Sequence, residues 1–205
     1  MNFLPLSIDL SNKQVLVVGG GKIAERRINK LIDAHADITV ISPTITDKLL
    51  PLVNQNIIKW NKKKFEPKDL TDAFLVMAAT NDSVINKQVV DATPNQTLIN
   101  VVDNPNLGNI QFPTHFRRGR LSISITTDGA SPKLAKKIKN ELAKTYDSRY
   151  ELYLDFLFNA RQLIKKANIN KQEKDILLEQ LLEDKFLHKE RQQKHLHWLT
   201  TLFKK

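Results

Sequence analysis

Two kinds of hydrophobic run alternate over the first half of the chain. Short continuous runs at Val15–Val18, Asp37–Ile41, Ala73–Ala79 and Leu98–Val102, with a weaker one at Ile57–Trp60, read as β-strands. Ala73–Ala79 (AFLVMAA) is apolar throughout, as in a parallel strand covered on both faces. Between these runs the spacing is helical. Lys22–Ala34 places Ile23, Ile28, Leu31 and Ile32 on one side; Thr46–Gln55 is a second helix, with a break or kink at Pro51; Val84–Ala92 is a third. Regular alternation of strand and helix predicts an α/β fold with a parallel, doubly wound sheet.

The pattern changes after Pro113. Leu121–Thr126 (LSISIT) alternates with period two, as a half-exposed strand does. Ser131 and Pro132 then have the residue types of an N-cap and a first helical position. The helix they open carries Leu134, Ile138 and Leu142 on one face, with Lys133, Lys136 and Lys137 beside it. Beyond Asp147 the chain reads as helical: Tyr150–Ala167, then Lys171–Lys185 behind an Asn170/Glu173 capping box, then a last run through Phe203. No internal repeat or low-complexity tract interrupts this order.

Composition narrows the class. At 41% hydrophobic and 26% charged residues, the chain has the make-up of an ordinary globular protein. No apolar run approaches the roughly 20 residues of a membrane span. The N-terminus has no basic segment or cleavage pattern of a secretory signal. Cysteine is absent, which excludes disulfides and thiolate chemistry and fits a cytoplasmic location. The net charge of +10 is uneven: residues 1–112 hold 12 Lys/Arg against 11 Asp/Glu, residues 113–205 hold 20 against 11. Such an excess suits an anionic partner, whether nucleic acid, membrane surface or polyanionic small molecule, or simply a solvated helical surface.

The sharpest motif is Gly19-Gly20-Gly21-Lys22-Ile23-Ala24, which fits G-x-G-x-x-G/A between a strand and a helix. In that context Gly19 permits the tight turn, Gly21 lets a pyrophosphate approach the backbone, and Ala24 keeps helix and sheet close, with the helix N-terminus toward the phosphates. Dinucleotide binding follows. The acidic residue expected about 20 positions on is missing. The second strand instead ends Ile41-Ser42-Pro43-Thr44, where Ser42 and Thr44 are the candidates for ribose hydroxyls. No Arg follows to favour a 2′-phosphate, so NAD is the expected cofactor. His35, at the end of the first helix, reads as a left-handed helix end rather than a ligand.

Other candidates lie at strand ends. Thr80, Asn81 and Asp82 leave a buried strand at the carboxyl edge, where doubly wound sheets bind ligands. Asp103 leaves the next strand behind two valines. Burial and the cofactor's charge would both act on it there, making it a candidate base, or it caps the turn before Pro105. His115, among Arg117, Arg118 and Arg120, is a metal contact, a proton carrier or neither. The loop Thr126–Pro132 (TTDGASP), with Ser131 and Lys133, forms a helix N-terminus suited to carboxylates or phosphates, or a plain capped surface helix. His195-x-His197 lacks a zinc spacing and reads as surface.

Taken in order, the blocks FLPLSIDLSNKQVLVVGGGKIAERR, ITVISP, FLVMAATND, NVVDNP and FPTHFRRGRLSISITTDGASPKLAKKIK resemble the precorrin-2 dehydrogenase/sirohydrochlorin ferrochelatase family, the dehydrogenase–chelatase module of siroheme synthase, in its stand-alone form. The resemblance implies a Rossmann-type NAD-binding domain over residues 1–112, a small α+β dimerisation region over 113–147 and a helical domain over 148–205. It implies a homodimer. It places NAD contacts on the glycine loop, including Lys22 and Ile23, and on Pro43 and Thr44, and the family's key aspartate on Asp103. TTDGASP stands where many members carry SSGGTSP, so a family serine falls on Thr127 and Asp128 replaces a glycine.

The activity implied is oxidation of precorrin-2 to sirohydrochlorin, with Asp103 as general base. A polycarboxylate tetrapyrrole gives the basic second half a ligand without nucleic acid or membrane. Its candidate contacts are His115, Arg117, Thr127, Ser131 and Lys133. Thr80 and Asn81 join the expected cofactor site. Some family members also insert Fe²⁺. Asp103 and His115 do not make a clear metal constellation, so the metal ligands stay unassigned. Two alternatives are an NAD-sensing regulator that binds nucleic acid and a non-catalytic dimeric scaffold.

Overall fold

The structure, a computed structural model, describes residues 3–70 and 72–203. The chain divides into two compact units, residues 1–112 and 113–205.

The first unit is built on five strands: β1 (Gln14–Val18), β2 (Asp37–Ile41), β3 (Lys59–Asn61), β4 (Leu75–Ala78) and β5 (Leu98–Val101). All are parallel, in the order β3-β2-β1-β4-β5. The chain therefore winds outward from β1 in both directions, and a crevice opens at the carboxyl end of β1. Val18 pairs with Ile41 on one side and Ala78 on the other, so three strands end level at that crevice. The continuous apolar runs are explained by coverage on both faces. Val15, Val17, Leu75 and Met77 pack under α1 (Lys22–Asp33), while Leu16, Val18, Val76 and Ala78 pack with Val89 of α3 (Ser83–Ala92).

Several boundaries depart from the sequence pattern for identifiable reasons. In α1 the buried stripe is Ala24, Ile28 and Leu31, whereas Ile23 is 52% exposed and does not join the apolar face. The second helix, α2, is only Leu50–Asn54. Residues 46–49 form a turn, and Pro51 sits in the first turn of α2 without kinking it, because its missing N–H is no loss there. His35 takes φ +55° as expected. Its N–H bonds the carbonyl of Ile32 and that of Ala36 bonds Leu31, which closes the helix in a Schellman motif. The outer edge of β5 is sealed by the segment around Asn109, whose N–H donates with that of Ile110 to the Ile99 carbonyl. Asn109 accepts from the Ile99 N–H through Oδ1 and donates to the Thr97 carbonyl through Nδ2, as a neighbouring strand would.

The second unit opens with an antiparallel hairpin, β6 (Thr114–Arg118) and β7 (Leu121–Ile125). Gly119, with φ +53°, takes the positive-φ position of its two-residue turn. β6 has no visible period in the sequence because only Phe116 on it is buried. Helices α4 (Pro132–Thr145), α5 (Arg149–Lys166), α6 (Lys171–Gln180) and α7 (Lys189–Leu202) follow. Ser131 Oγ accepts from the Leu134 N–H and Asn170 forms its capping box with Glu173, both as expected.

The helix expected to reach Lys185 ends at Gln180. Leu181 is buried, and Tyr153 donates its hydroxyl proton to the Leu181 carbonyl at 2.8 Å; Gln192 Nε2 donates to the Phe186 carbonyl at 2.8 Å. These side chains satisfy carbonyls that no longer have a helical partner. The core there combines Tyr153, Phe156, Ala160, Ile164, Leu181, Phe186 and Leu199.

His195 is not the surface residue its spacing suggested. Its ring lies 4.9 Å from Phe186 and 5.0 Å from Trp198, and its buried Nε2 has no hydrogen-bond partner among the described residues. Burial, and secondarily the charge of Lys185, pushes its pKa below the ordinary histidine value. The unfolded chain therefore takes up a proton before the folded bundle does. The contribution of this group to stability is full above the ordinary histidine pKa of about 6.5 and is lost as pH falls through the depressed folded value. Urea midpoints read by Trp198 fluorescence, in a Trp60→Phe background, should fall from pH 7 to pH 5. His195→Phe should flatten that dependence, and a variant with the same slope would remove His195 as its source.

Candidate functional site

The glycine loop is braced from two sides. The Gly19 N–H donates to the Ile41 carbonyl at 2.9 Å, and the Gly20 carbonyl accepts from the Thr46 N–H at 3.0 Å. A Cβ on Gly19 would stand 2.4 Å from the Ala79 carbonyl oxygen, and one on Gly20 would stand 2.2 Å from that of Thr44. Both glycines are thus needed for the backbone of β1 to pass between the ends of β2 and β4. Gly21 differs: nothing lies within 4 Å of where its Cβ would be. Open space at this position is what the motif requires for a pyrophosphate to approach the backbone. Gly21 is also the N-cap of α1, which has no side-chain cap, so no side chain occupies its first-turn N–H groups.

Around this loop is a cleft of about 700 Å³. All nine residues expected to meet the cofactor line it: Gly19, Gly21, Lys22 and Ile23 from the glycine loop and α1, Ser42, Pro43 and Thr44 after β2, and Thr80 and Asn81 after β4. The exposed position of Ile23 follows from this, since the residue borders the cleft instead of the core. A volume of this size, beside an uncapped helix start at a sheet's crevice, fits a dinucleotide-sized group.

Two expected roles change in detail. Ser42 is buried and donates its hydroxyl proton to the Thr44 carbonyl at 2.7 Å, so it shapes the turn after β2 and has no proton left for a ribose. Thr80 is likewise held. Its N–H and hydroxyl both lie within hydrogen-bond range of Asn86 Oδ1, at 3.1 and 2.8 Å, and its carbonyl accepts from Asn86 Nδ2 at 3.3 Å.

Asn86, 1% exposed on α3, was not singled out in the sequence, where it looks like one more polar helix residue. It clamps the loop that floors the cleft. Asn86→Ala leaves the Thr80 backbone unpaired and should cost about 1–3 kcal/mol in a urea titration. An unchanged midpoint would mean that water replaces the clamp. Gly20, Thr46, Lys64, Phe65 and Ile85 also line the cleft without being assigned to it from sequence, and Asp82, a candidate at that strand end, lines it too. Only the run of three glycines hinted at Gly20. Asp82 Oδ1 accepts from the Val84 and Ile85 N–H groups and so caps α3.

Asp103 follows Val102, whose N–H donates to the Ala78 carbonyl, so it leaves β5 at the same carboxyl edge as the cleft. The burial expected from its two valines is not there: Val101 is buried, Val102 is half-buried and Asp103 is exposed. Nor does it cap the turn. Asn104 does, with Oδ1 accepting from the Asn106 N–H at 3.2 Å.

The remaining candidates belong to the second unit. His115 and Arg117 are exposed on β6, and Lys133 is exposed in the first turn of α4. Thr127 Oγ1 accepts from the Ser131 N–H at 3.1 Å, and Asp128 takes φ +49°, a conformation that Asp tolerates in place of the family glycine. Among the described residues, no group of three His, Cys, Asp or Glu side chains converges as a metal site, and no helix is long and apolar enough to cross a membrane.

Comparison with known proteins matches this architecture piece by piece. An NAD(P)-binding family model covers residues 6–114, a sirohaem biosynthesis protein central model residues 118–145, and a SirC C-terminal domain model residues 150–196. The precorrin-2 dehydrogenase of Priestia megaterium is 41% identical over 179 residues, 87% of this chain and 89% of that protein. This chain belongs to the precorrin-2 dehydrogenase family. The family's Bacillus subtilis (strain 168) protein is 35% identical over 159 residues, 78% of this chain and 98% of that one. The solved structure of SirC, precorrin-2 dehydrogenase, superposes with a TM-score of 0.85 at 38% identity, covering 97% of this chain and all of that one. The same family membership carries an NAD(P)-type cofactor domain, which is the first unit.

Proposed function

We propose that the protein oxidises precorrin-2 to sirohydrochlorin with NAD as hydride acceptor. The observation that carries this reading is the open cradle at Gly21, set at the mouth of a cleft that gathers all nine expected cofactor residues, in a chain related over most of its length to precorrin-2 dehydrogenases. When bound, NAD⁺ supplies the site with a two-electron acceptor for hydride. The chain's own groups do the rest. The N–H groups at the start of α1 hold the pyrophosphate, and the loops after β2 and β4 hold the two ends of the dinucleotide. Oxidation removes a hydride and a proton from the substrate. Asp103, a carboxylate with no capping duty at the carboxyl edge of β5, takes the proton.

The substrate is a polycarboxylate, and the basic second unit provides its counter-charges. His115, Arg117 and Lys133 are the proposed contacts, with Thr127 and Ser131 supplying hydroxyl and backbone groups beside them. A homodimer is part of the same reading. Its support is α4, where Leu134 is 48% exposed and only Ala135 is buried, so the apolar face of Leu134, Ile138 and Leu142 is poorly covered within one chain. The regulator and scaffold alternatives gain no support from relatives named as dehydrogenases.

The test is anaerobic absorbance of precorrin-2 with purified protein, with and without NAD⁺, then with Fe²⁺ or Co²⁺ added. A sirohydrochlorin spectrum that needs both protein and NAD⁺ supports the dehydrogenase. A further metal-dependent change faster than the protein-free control adds chelation. No oxidation despite NAD⁺ binding rejects the proposed reaction.

A further inference from the structure

The cleft contains a cation that neither the glycine motif nor the expected ribose contacts use. Lys64 follows β3, which pairs with β2 through Ile41 and Asn61, so its segment emerges beside the turn Ser42-Pro43-Thr44. In a doubly wound dinucleotide fold, the end of the second strand is where the adenosine ribose is read. A carboxylate there would bind the 2′-hydroxyl and repel a 2′-phosphate. Here it is absent: the strand ends in Ser42, whose hydroxyl proton is committed to the Thr44 carbonyl. Asp82, the one carboxylate lining the cleft among the described residues, stands after β4 and caps α3.

The lysines near Lys64 are occupied. Lys63 pairs with Glu66 and Asp69, Lys68 pairs with Glu66, and Lys62 lies 5.7 Å from the Trp60 ring centroid. Lys64 forms no ion pair among the described residues, and it lines the cleft.

Resting on the reading of this cleft as the dinucleotide site, we propose that Lys64 is a specificity-determining residue that admits a 2′-phosphate on the adenosine ribose. The site then accepts phosphorylated as well as unphosphorylated nicotinamide dinucleotides. The 2′-phosphate dianion receives a charge-assisted hydrogen bond from the Lys64 ammonium, and no carboxylate on the β2 turn opposes it. An unphosphorylated ribose has no group that requires Lys64.

The experiment is titration of the full chain with NAD⁺ and with NADP⁺, followed by protein fluorescence or calorimetry, at low and moderate salt. Wild-type protein should bind NADP⁺ within about tenfold of NAD⁺. Lys64→Ala should weaken NADP⁺ by about tenfold and leave NAD⁺ nearly unchanged, and Lys64→Glu should widen the gap further. Lys64 is exposed, so both variants should keep the wild-type urea midpoint. NAD⁺ binding without measurable NADP⁺ binding overturns the inference and leaves the proposed function standing. Equal losses for both ligands in Lys64→Ala also overturn it, because Lys64 would then serve the common part of the cofactor. Failure of both ligands to bind wild-type protein rejects the dinucleotide reading, and the inference with it.

Discussion

Asp103→Ala is expected to lower precorrin-2 oxidation by about 10²–10⁴-fold, the usual contribution of a positioned general base, with cofactor affinity preserved. The separation of the two effects follows from where the residue stands. Asp103 leaves β5 at the carboxyl edge and does not line the cleft around the glycine loop. It is exposed and caps nothing, since Asn104 caps the following turn, so the variant should fold with a stability change within about 0.5 kcal/mol. Asp103→Asn, which keeps the shape and loses the carboxylate, should be as inactive as the alanine variant. Single-turnover absorbance under anaerobic conditions, alongside an NAD⁺ titration, reads both quantities. Turnover at the wild-type rate in either variant would take Asp103 out of the proton transfer. Parallel loss of turnover and NAD⁺ affinity would make it part of the cofactor site instead.

Adding one methyl group should have opposite consequences at adjacent glycines. Gly20→Ala forces a Cβ to within 2.2 Å of the Thr44 carbonyl oxygen and 2.8 Å of Ile45 Cγ2, against backbone that Thr46 and Gly20 already tie together. The chain must move there, and overpacking of this kind costs about 1–3 kcal/mol. Gly21→Ala meets nothing within 4 Å, so its cost is limited to the poorer N-cap, about 1 kcal/mol or less. The new methyl group instead occupies the space proposed for the pyrophosphate and should weaken NAD⁺ by tenfold or more, about 1.4 kcal/mol at the least. Urea midpoints and NAD⁺ titrations on the two variants separate the roles. A stable Gly20→Ala protein would show that the β2 turn can yield. A Gly21→Ala protein with wild-type affinity would move the pyrophosphate elsewhere.

Much of the first unit was legible because its signals are local. The strand Asp37–Ile41 has the same bounds in the sequence pattern and in the structure, since β-branched residues and a parallel neighbour on each side act together there. The Schellman ending at His35 is likewise a matter of a few consecutive residues. The residues that line the cleft could be named because a sheet wound outward from β1 brings the ends of β1, β2 and β4 together wherever the strands fall in sequence. Readings failed where a residue's role depends on a distant partner. Asn86 carries no mark of being a clamp until α3 packs it against Thr80. His195 looks like a surface histidine until Phe186 and Trp198 close on it. β6 has no period because a two-stranded ribbon buries only Phe116 along it.

By itself the sequence determined the alternation of elements, the glycine loop and its place between strand and helix, the caps that start α4 and α6, and the family to which the blocks belong. Each rests on hydrophobic period, on backbone geometry open to few residue types, or on a motif read over consecutive positions. Tertiary structure alone decided which glycine is structural and which is open, why the sixth helix stops at Gln180, that Asp103 is exposed, and that Lys64 stands in the cleft. Those outcomes depend on which groups meet across strands and helices, and on whether a buried carbonyl finds a helical partner or a side chain such as that of Tyr153.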